Sequence, residues 1–155
     1  MKVHTYEKGF LAVGGVLLVA CLFALLYASV AHGIRLPGRV ATIDPARVYQ
    51  TPPFDKPGLR QVGPREYVAV MVGQAWAFNP AEIRVPRGST VTFRATSIDV
   101  LHGMNVEGTR VNLMLIPGQI GESTQRFDEP GEFLIICHEY CGIGHHTMAG
   151  KVIVE

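Results

Sequence analysis

The sequence is short of net charge. Acidic and basic residues nearly cancel, leaving a formal +1 with histidine neutral. That excludes the strongly basic surface a nucleic-acid partner demands. Charge is also missing locally: residues 10–31 carry none. Cysteine is scarce, three residues in 155. At most one intramolecular pair can form, which excludes a disulfide-stapled framework. Tryptophan occurs once, as Trp76. No internal repeat is visible, and the length fits a single folded domain.

Apolar residues, by contrast, make up 48% of the chain, and one segment concentrates them. Residues 10–31 read FLAVGGVLLVACLFALLYASVA. At about 1.5 Å per residue a helix of this length reaches roughly 33 Å, enough to cross a hydrocarbon core about 30 Å thick. The competing reading is a cleavable signal peptide, and Ser29-Val30-Ala31 offers the small residues a signal peptidase accepts. The apolar core of a signal peptide runs about 7–15 residues, however, and this run is longer. We therefore expect an uncleaved transmembrane anchor over residues 10–31, preceded by a short polar head, residues 1–9. Gly14-Gly15 suits close helix packing, and Cys21, mid-helix, reads as a small apolar residue. Lys2 and Lys8 on one side, and Arg35 and Arg39 on the other, leave the orientation undecided.

Residues 32–62 read as a proline-rich linker; six of the ten prolines lie between His32 and Pro64. Proline at this density works against helix and sheet. The pattern then changes. Val91, Phe93 and Ala95 alternate with Thr90, Thr92 and Arg94, the period of a half-buried strand. Further strands are expected over 67–72, 111–116, 122–127, 132–137 and 151–154. Turn signals at Pro86-Arg-Gly88, Pro117-Gly118 and Glu129-Pro130-Gly131 separate them. Short strands at this spacing predict a Greek-key β-sandwich over 63–155. About 90 residues make a small core, which a bound metal would help stabilise.

The chemistry concentrates in Cys137-His-Glu-Tyr-Cys141-Gly-Ile-Gly-His145-His-Thr-Met148, directly after the apolar run 133–136. Two thiols, an imidazole and a thioether share one loop, a soft and borderline donor set that selects copper. Gly142 and Gly144 let the loop turn tightly. Upstream, Ser97-Ile-Asp99-Val-Leu-His102 places a second imidazole after a predicted strand, and sandwich loops cluster at one end. The cysteines alone would fit a disulfide or zinc, but methionine is not a usual zinc ligand. A mononuclear blue-copper site needs only one cysteine, so the second favours a dinuclear site. His138 and His146 are off the spacing and read as surface groups. Met71, Met104 and Met114 read as core fillers. His4 and His32 have no evident partner.

Ser-x-Asp-Val-x-His, followed by Cys-x-Glu-x-Cys-Gly-x-x-His-x-x-Met, resembles the CuA signature of cytochrome c oxidase subunit II. The single helix, the Tyr6-Glu7-Lys8-Gly9 head and the short domain resemble the B-type (ba-type) branch. The resemblance implies a cupredoxin sandwich. It implies that Cys137 and Cys141 bridge two copper ions and that His102 and His145 each cap one. Met148 and the Glu139 carbonyl would be weak axial ligands. Ser97 and Asp99, part of the same pattern, would shape the loop. The resemblance also implies a partner, haem–copper subunit I, with a small additional membrane subunit and a cytochrome c or small copper protein as electron donor. The C-terminal domain would lie on the periplasmic or extracellular side of the cell membrane.

Other residues acquire expectations from the same resemblance. Glu139 offers a carboxylate suited to a magnesium ion shared with subunit I, where B-type relatives often carry glutamine. Gln74-Ala-Trp76-Ala-Phe-Asn-Pro80 resembles the aromatic segment where electrons enter, although a lone tryptophan is often simply a core residue. Glu7, beside the span, is placed at the entrance of a proton path, against its plainer reading as a solvated head residue. Residues 63–155 hold 7 basic and 10 acidic residues, a balance that suits a basic donor. Two other readings stay open on sequence: a stand-alone membrane-tethered copper protein, and a CuA subunit that serves nitric oxide reduction.

Overall fold

The computed structural model describes residues 4–31 and 41–155, in two units. The expectations for residues 1–3 of the head, for His32, Arg35 and Arg39, and for the first part of the linker lie outside the described residues.

The first unit is helix α1 (Thr5–Ala31). It starts five residues before the apolar run because the head caps it. The His4 N–H donates to Glu7 Oε2 at 2.8 Å, and the acid in the first turn complements the helix dipole. Apolar residues surround the helix on all sides, the pattern of a membrane span rather than of an amphipathic core helix.

The second unit is a two-sheet sandwich, and its centre follows from the sequence of β3 (Glu66–Gln74). Residues 69–73 of this strand are buried on both faces. Ala69 and Met71 point into the main core, with Phe93, Phe127 and Ile135. Val70 and Val72 point the other way, under Ile43, Val48 and Phe54. A continuous apolar run is what a strand covered on both sides requires. β3 pairs in parallel with β6 (Ser89–Ser97), and β6 pairs with β9 (Gln119–Phe127). β1 (Ala41–Thr42) and β2 (Gly58–Gly63) form the edges, and β4 (Ala77–Asn79) returns on β3. The opposing sheet runs β5 (Glu82–Val85), β11 (Ala149–Val154), β10 (Gly131–Ile136), β7 (His102–Val106) and β8 (Asn112–Leu115). Edge-to-face contacts of Phe127 with Phe93 and Phe133 join the layers, with ring centres 6.4 and 5.2 Å apart.

The stretch read as linker is, from Ala41 onward, part of this unit. Pro45 opens a short 3-10 helix (Pro45–Gln50), and the Asp44 carboxylate accepts from Ala46 N–H at 3.0 Å. Proline is favoured at that position because its missing N–H has no partner there anyway. Arg60 donates to the Pro53 and Lys56 carbonyls at 3.0 and 2.9 Å. The strap so formed seats fully buried Phe54 over β3.

Candidate metal centre

Strand pairing brings the sulfurs together. β10 and β11 are antiparallel neighbours, with Ile136 opposite Ala149. The chain between them must therefore leave and return at one point. Cys137 N–H donates to the Met148 carbonyl at 3.3 Å and closes the base. Within the loop Gly142 takes φ +116, the left-handed region glycine tolerates. His145 N–H donates to the Gly142 carbonyl at 3.0 Å and begins a 3-10 turn (His145–Thr147). That turn directs His145 and Met148 inward. Cys137 Sγ lies 3.8 Å from Cys141 Sγ, nearly twice the about 2.05 Å of a disulfide, and both are free thiols. Cys141 Sγ is 3.6 Å from His145 Nδ1 and 3.8 Å from Met148 Sδ. Cys137 Sγ is 3.3 Å from the Glu139 carbonyl oxygen.

His102 reaches the site from the strand that pairs with β10 on its other edge. It is the first residue of β7 rather than a loop residue, and it is fully buried. Its Nε2 sits 2.8 Å from Asp99 Oδ1. Asp99 also accepts from Ala75 N–H at 2.6 Å and Val100 N–H at 2.7 Å, with Ser97 Oγ 3.1 Å away. Burial works to raise the Asp99 carboxyl, but bonds from His102, Ala75 and Val100 outweigh it and hold it below the usual carboxylate range. An ionised carboxylate only accepts, so Nε2 carries a proton, and in the neutral imidazole that leaves Nδ1 as the bare lone pair. That Nδ1 is buried and has no hydrogen-bond partner. Buried polar atoms are rarely left so, and an orphan of this kind points to a ligand. The ligand atoms of His102, Cys137 and Cys141 lie within 4.8 Å of one another.

Burial first, and then the bond and charge of Cys137, push the Cys141 thiol up to about 11. At neutral pH it keeps its proton until a cation takes that place. Two thiols, a thioether and two imidazoles then offer the soft donor set that copper favours.

Trp76 covers the loop. Its Nε1–H donates to the Cys141 carbonyl at 3.1 Å, and its ring lies flush on the Gly144 backbone, where an added Cβ would collide with Cδ2 and Cγ. Gly144→Ala is therefore expected to displace the indole and cost about 1–3 kcal/mol of stability. Thermal melts measure the cost, and emission from this lone tryptophan reports the displacement. The sequence signal for this contact is the glycine pair itself. His138 is exposed and packs over Gly103, and His146 is exposed; neither is drawn among the sulfurs. The Glu139 side chain is half-buried. Glu7 belongs to the helical unit, where it caps α1. Ser97 and Asp99 do shape their loop, but the grip of Asp99 on His102 is a further role that the sequence pattern does not reveal.

A family model described as "Cytochrome C oxidase subunit II, periplasmic domain" matches residues 74–155. A cytochrome c oxidase subunit 2 of Thermus thermophilus is 36% identical over 154 residues, covering 97% of this chain and 92% of the relative. In a solved heme-copper terminal oxidase dimer, one chain superposes with a TM-score of 0.76 at 34% identity, covering 97% of this chain and 99% of that one. The periplasmic domain of subunit II of cytochrome oxidase (CoxB) of Bradyrhizobium japonicum is 20% identical. It shares the fold, with a TM-score of 0.53 over 57% of this chain and 83% of that domain.

Proposed function

This chain belongs to the cytochrome c oxidase subunit II family, and from that premise we propose that His102, Cys137, Cys141, His145 and Met148, with the Glu139 carbonyl, hold a dinuclear copper (CuA) centre. The chain is a membrane-anchored subunit of a haem–copper terminal oxidase, with a cupredoxin-type sandwich and an electron-transfer role. The observation that carries the copper reading is the meeting of two reduced, buried thiols with the orphaned Nδ1 of His102. These residues fit copper by donor softness, and the second thiol favours two ions over one.

When bound, the copper pair supplies a one-electron carrier. The residues around it keep it from rearranging. Asp99 holds His102 in one tautomer, the Cys137–Met148 backbone bond fixes the loop base, and Trp76 seals the Cys141 carbonyl. Ligands fixed beforehand move little when charge changes, and the partners behind them tune the potential. Trp76, still 42% exposed, is the proposed point where electrons enter. Tyr140 and Ile143, on the loop that Trp76 covers and 75% and 84% exposed, suit a docking protein donor, a cytochrome c or small copper protein.

A copper pair held by these residues would supply the electron relay to the haems of subunit I in the cell membrane, with the sandwich on the periplasmic side. The half-buried Glu139 carboxylate would offer a hard oxygen ligand to a magnesium at that interface. Glu7 stands at the entrance of a proton path, and the chain falls in the B-type branch. Copper counting and electron paramagnetic resonance on the full chain test the centre. Two coppers per chain sharing one unpaired electron are expected, and one localised copper would refute it. Met148→Leu is expected to retain both coppers, at a folding cost below about 1.5 kcal/mol, while raising the potential. Voltammetry with metal analysis checks this, because a weak axial thioether tunes rather than holds.

A further inference from the structure

At the end of the sandwich opposite the sulfurs, roughly 30 Å away along β6, four chain segments meet. Arg87 N–H donates to the Glu155 main-chain oxygen at 2.6 Å, Gly88 N–H to that of Phe127 at 2.7 Å, and Thr90 N–H to that of Arg65 at 2.8 Å. They frame a cavity of about 450 Å³ lined by Arg65, Arg87, Arg126, Asp128 and Glu155, with Gly88 in its wall.

The backbone is shaped to aim one guanidinium. Arg65 has φ 60, a left-handed conformation uncommon outside glycine. Its Nη1 donates to the Arg87 carbonyl at 2.7 Å and occupies the space above Gly88, 2.7 Å from where a Cβ would stand. Arg87 Nε donates to the Asp128 carbonyl at 2.6 Å. Arg126 alone of the three has an acidic partner, Asp128 Oδ1 at 2.7 Å. The carboxylate of Glu155, which also lines the cavity, is held at 3.2 Å by Arg84, itself not part of the lining. Among the described residues, Arg65 and Arg87 have no carboxylate within ion-pair distance. Each spends one N–H on a neutral carbonyl and keeps the rest of its planar fork.

We propose that this pole binds a small phosphate-bearing anion. Cations gathered on separate segments repel unless an anion lies between them, and guanidinium forks match phosphate oxygens in pairs. The unpaired forks of Arg65 and Arg87, on two separate turns beside Arg126 of β9, can together meet more oxygens than one carboxylate offers, which selects phosphate. The arginines are exposed, so binding weakens as salt rises.

Calorimetry of the full chain in zwitterionic detergent, titrated with inorganic phosphate at low ionic strength, tests the site. One saturable phosphate per chain is expected. Arg65→Gln and Arg87→Gln should each weaken it about tenfold, the loss of a charge-assisted hydrogen bond. Asp128→Asn should tighten it, by removing a repelling charge and freeing Arg126. Arg110→Gln, the same charge loss away from the cavity, should change nothing. Absence of saturable binding overturns the proposal, as does equal weakening by Arg110→Gln or weaker binding in Asp128→Asn. Lipid headgroups carry the same phosphate. Binding lost in phosphatidylglycerol discs but kept in phosphatidylcholine discs assigns the headgroup as occupant, and equal binding in both assigns a soluble phosphate.

Discussion

Cys141→Ser is expected to abolish the mixed-valence copper spectrum and to cut electron flow from a cytochrome c donor beyond the roughly 10–100-fold that losing an outer partner of a metal ligand costs. Cys137→Ser should do the same, because the two sulfurs sit together at 3.8 Å and neither has a substitute among the described residues. A hydroxyl is a hard, weakly acidic donor, whereas copper favours a polarisable thiolate. The fold should survive, since both positions lie on a loop past the end of β10 and serine is smaller than cysteine. Metal analysis and resonance spectra of the assembled oxidase, beside turnover with reduced cytochrome c, check this. Persistence of the two-copper spectrum in either variant would end the bridging assignment.

Asp99→Ala is expected to lower copper affinity by about 10–100-fold without touching a ligand. The substitution frees His102 to place its proton on Nδ1, the atom needed as a donor. It also removes the acceptor that holds the exposed N–H groups of Ala75 and Val100 in place, leaving them to water. Ala75 precedes Trp76, so the indole over the Cys141 carbonyl should loosen as well. Copper competition titrations measure the affinity. The pH dependence has a definite sign. The folded carboxyl titrates below its unfolded value of about 4. The stability it lends is complete above that value and is lost as pH falls through the lower, folded one. Acid melts of the metal-free chain should therefore show a loss in the wild type that Asp99→Ala lacks. Identical acid profiles would show that Asp99 does not act through its charge.

Most of the sandwich was legible because its central strands advertise themselves. β6 alternates cleanly over most of its length, since one face meets the core and the other is only half-buried. The expected strands at 67–72, 89–96, 111–116, 122–127, 132–137 and 151–154 all lie on observed ones, with ends shifted by a few residues. β2, β4 and β7 were not legible. β2 is a largely exposed edge, β4 is three residues long, and β7 carries His102, Gly103 and Asn105 in place of an apolar run. β5 does alternate, Ile83 and Val85 inward, but four residues are too few to separate from a turn. The strap over β3 was hidden because its prolines signal only local geometry. What it covers, Val70 and Val72, is known only once β3 has a second face to hide. The residues that meet at the candidate site were legible from spacing and donor type. Their orientation was not, because it depends on Asp99 and Trp76, which lie elsewhere in the chain.

All the sulfur donors, together with His145, fall within twelve consecutive residues pinned at both ends by one hairpin. The rest of the sandwich contributes a single imidazole and a rigid frame. Such a segment behaves as an interchangeable cartridge. Insertions, deletions or swapped residues inside it would alter how many ions the proposed site holds, and at what voltage, while the layers beneath keep their register undisturbed.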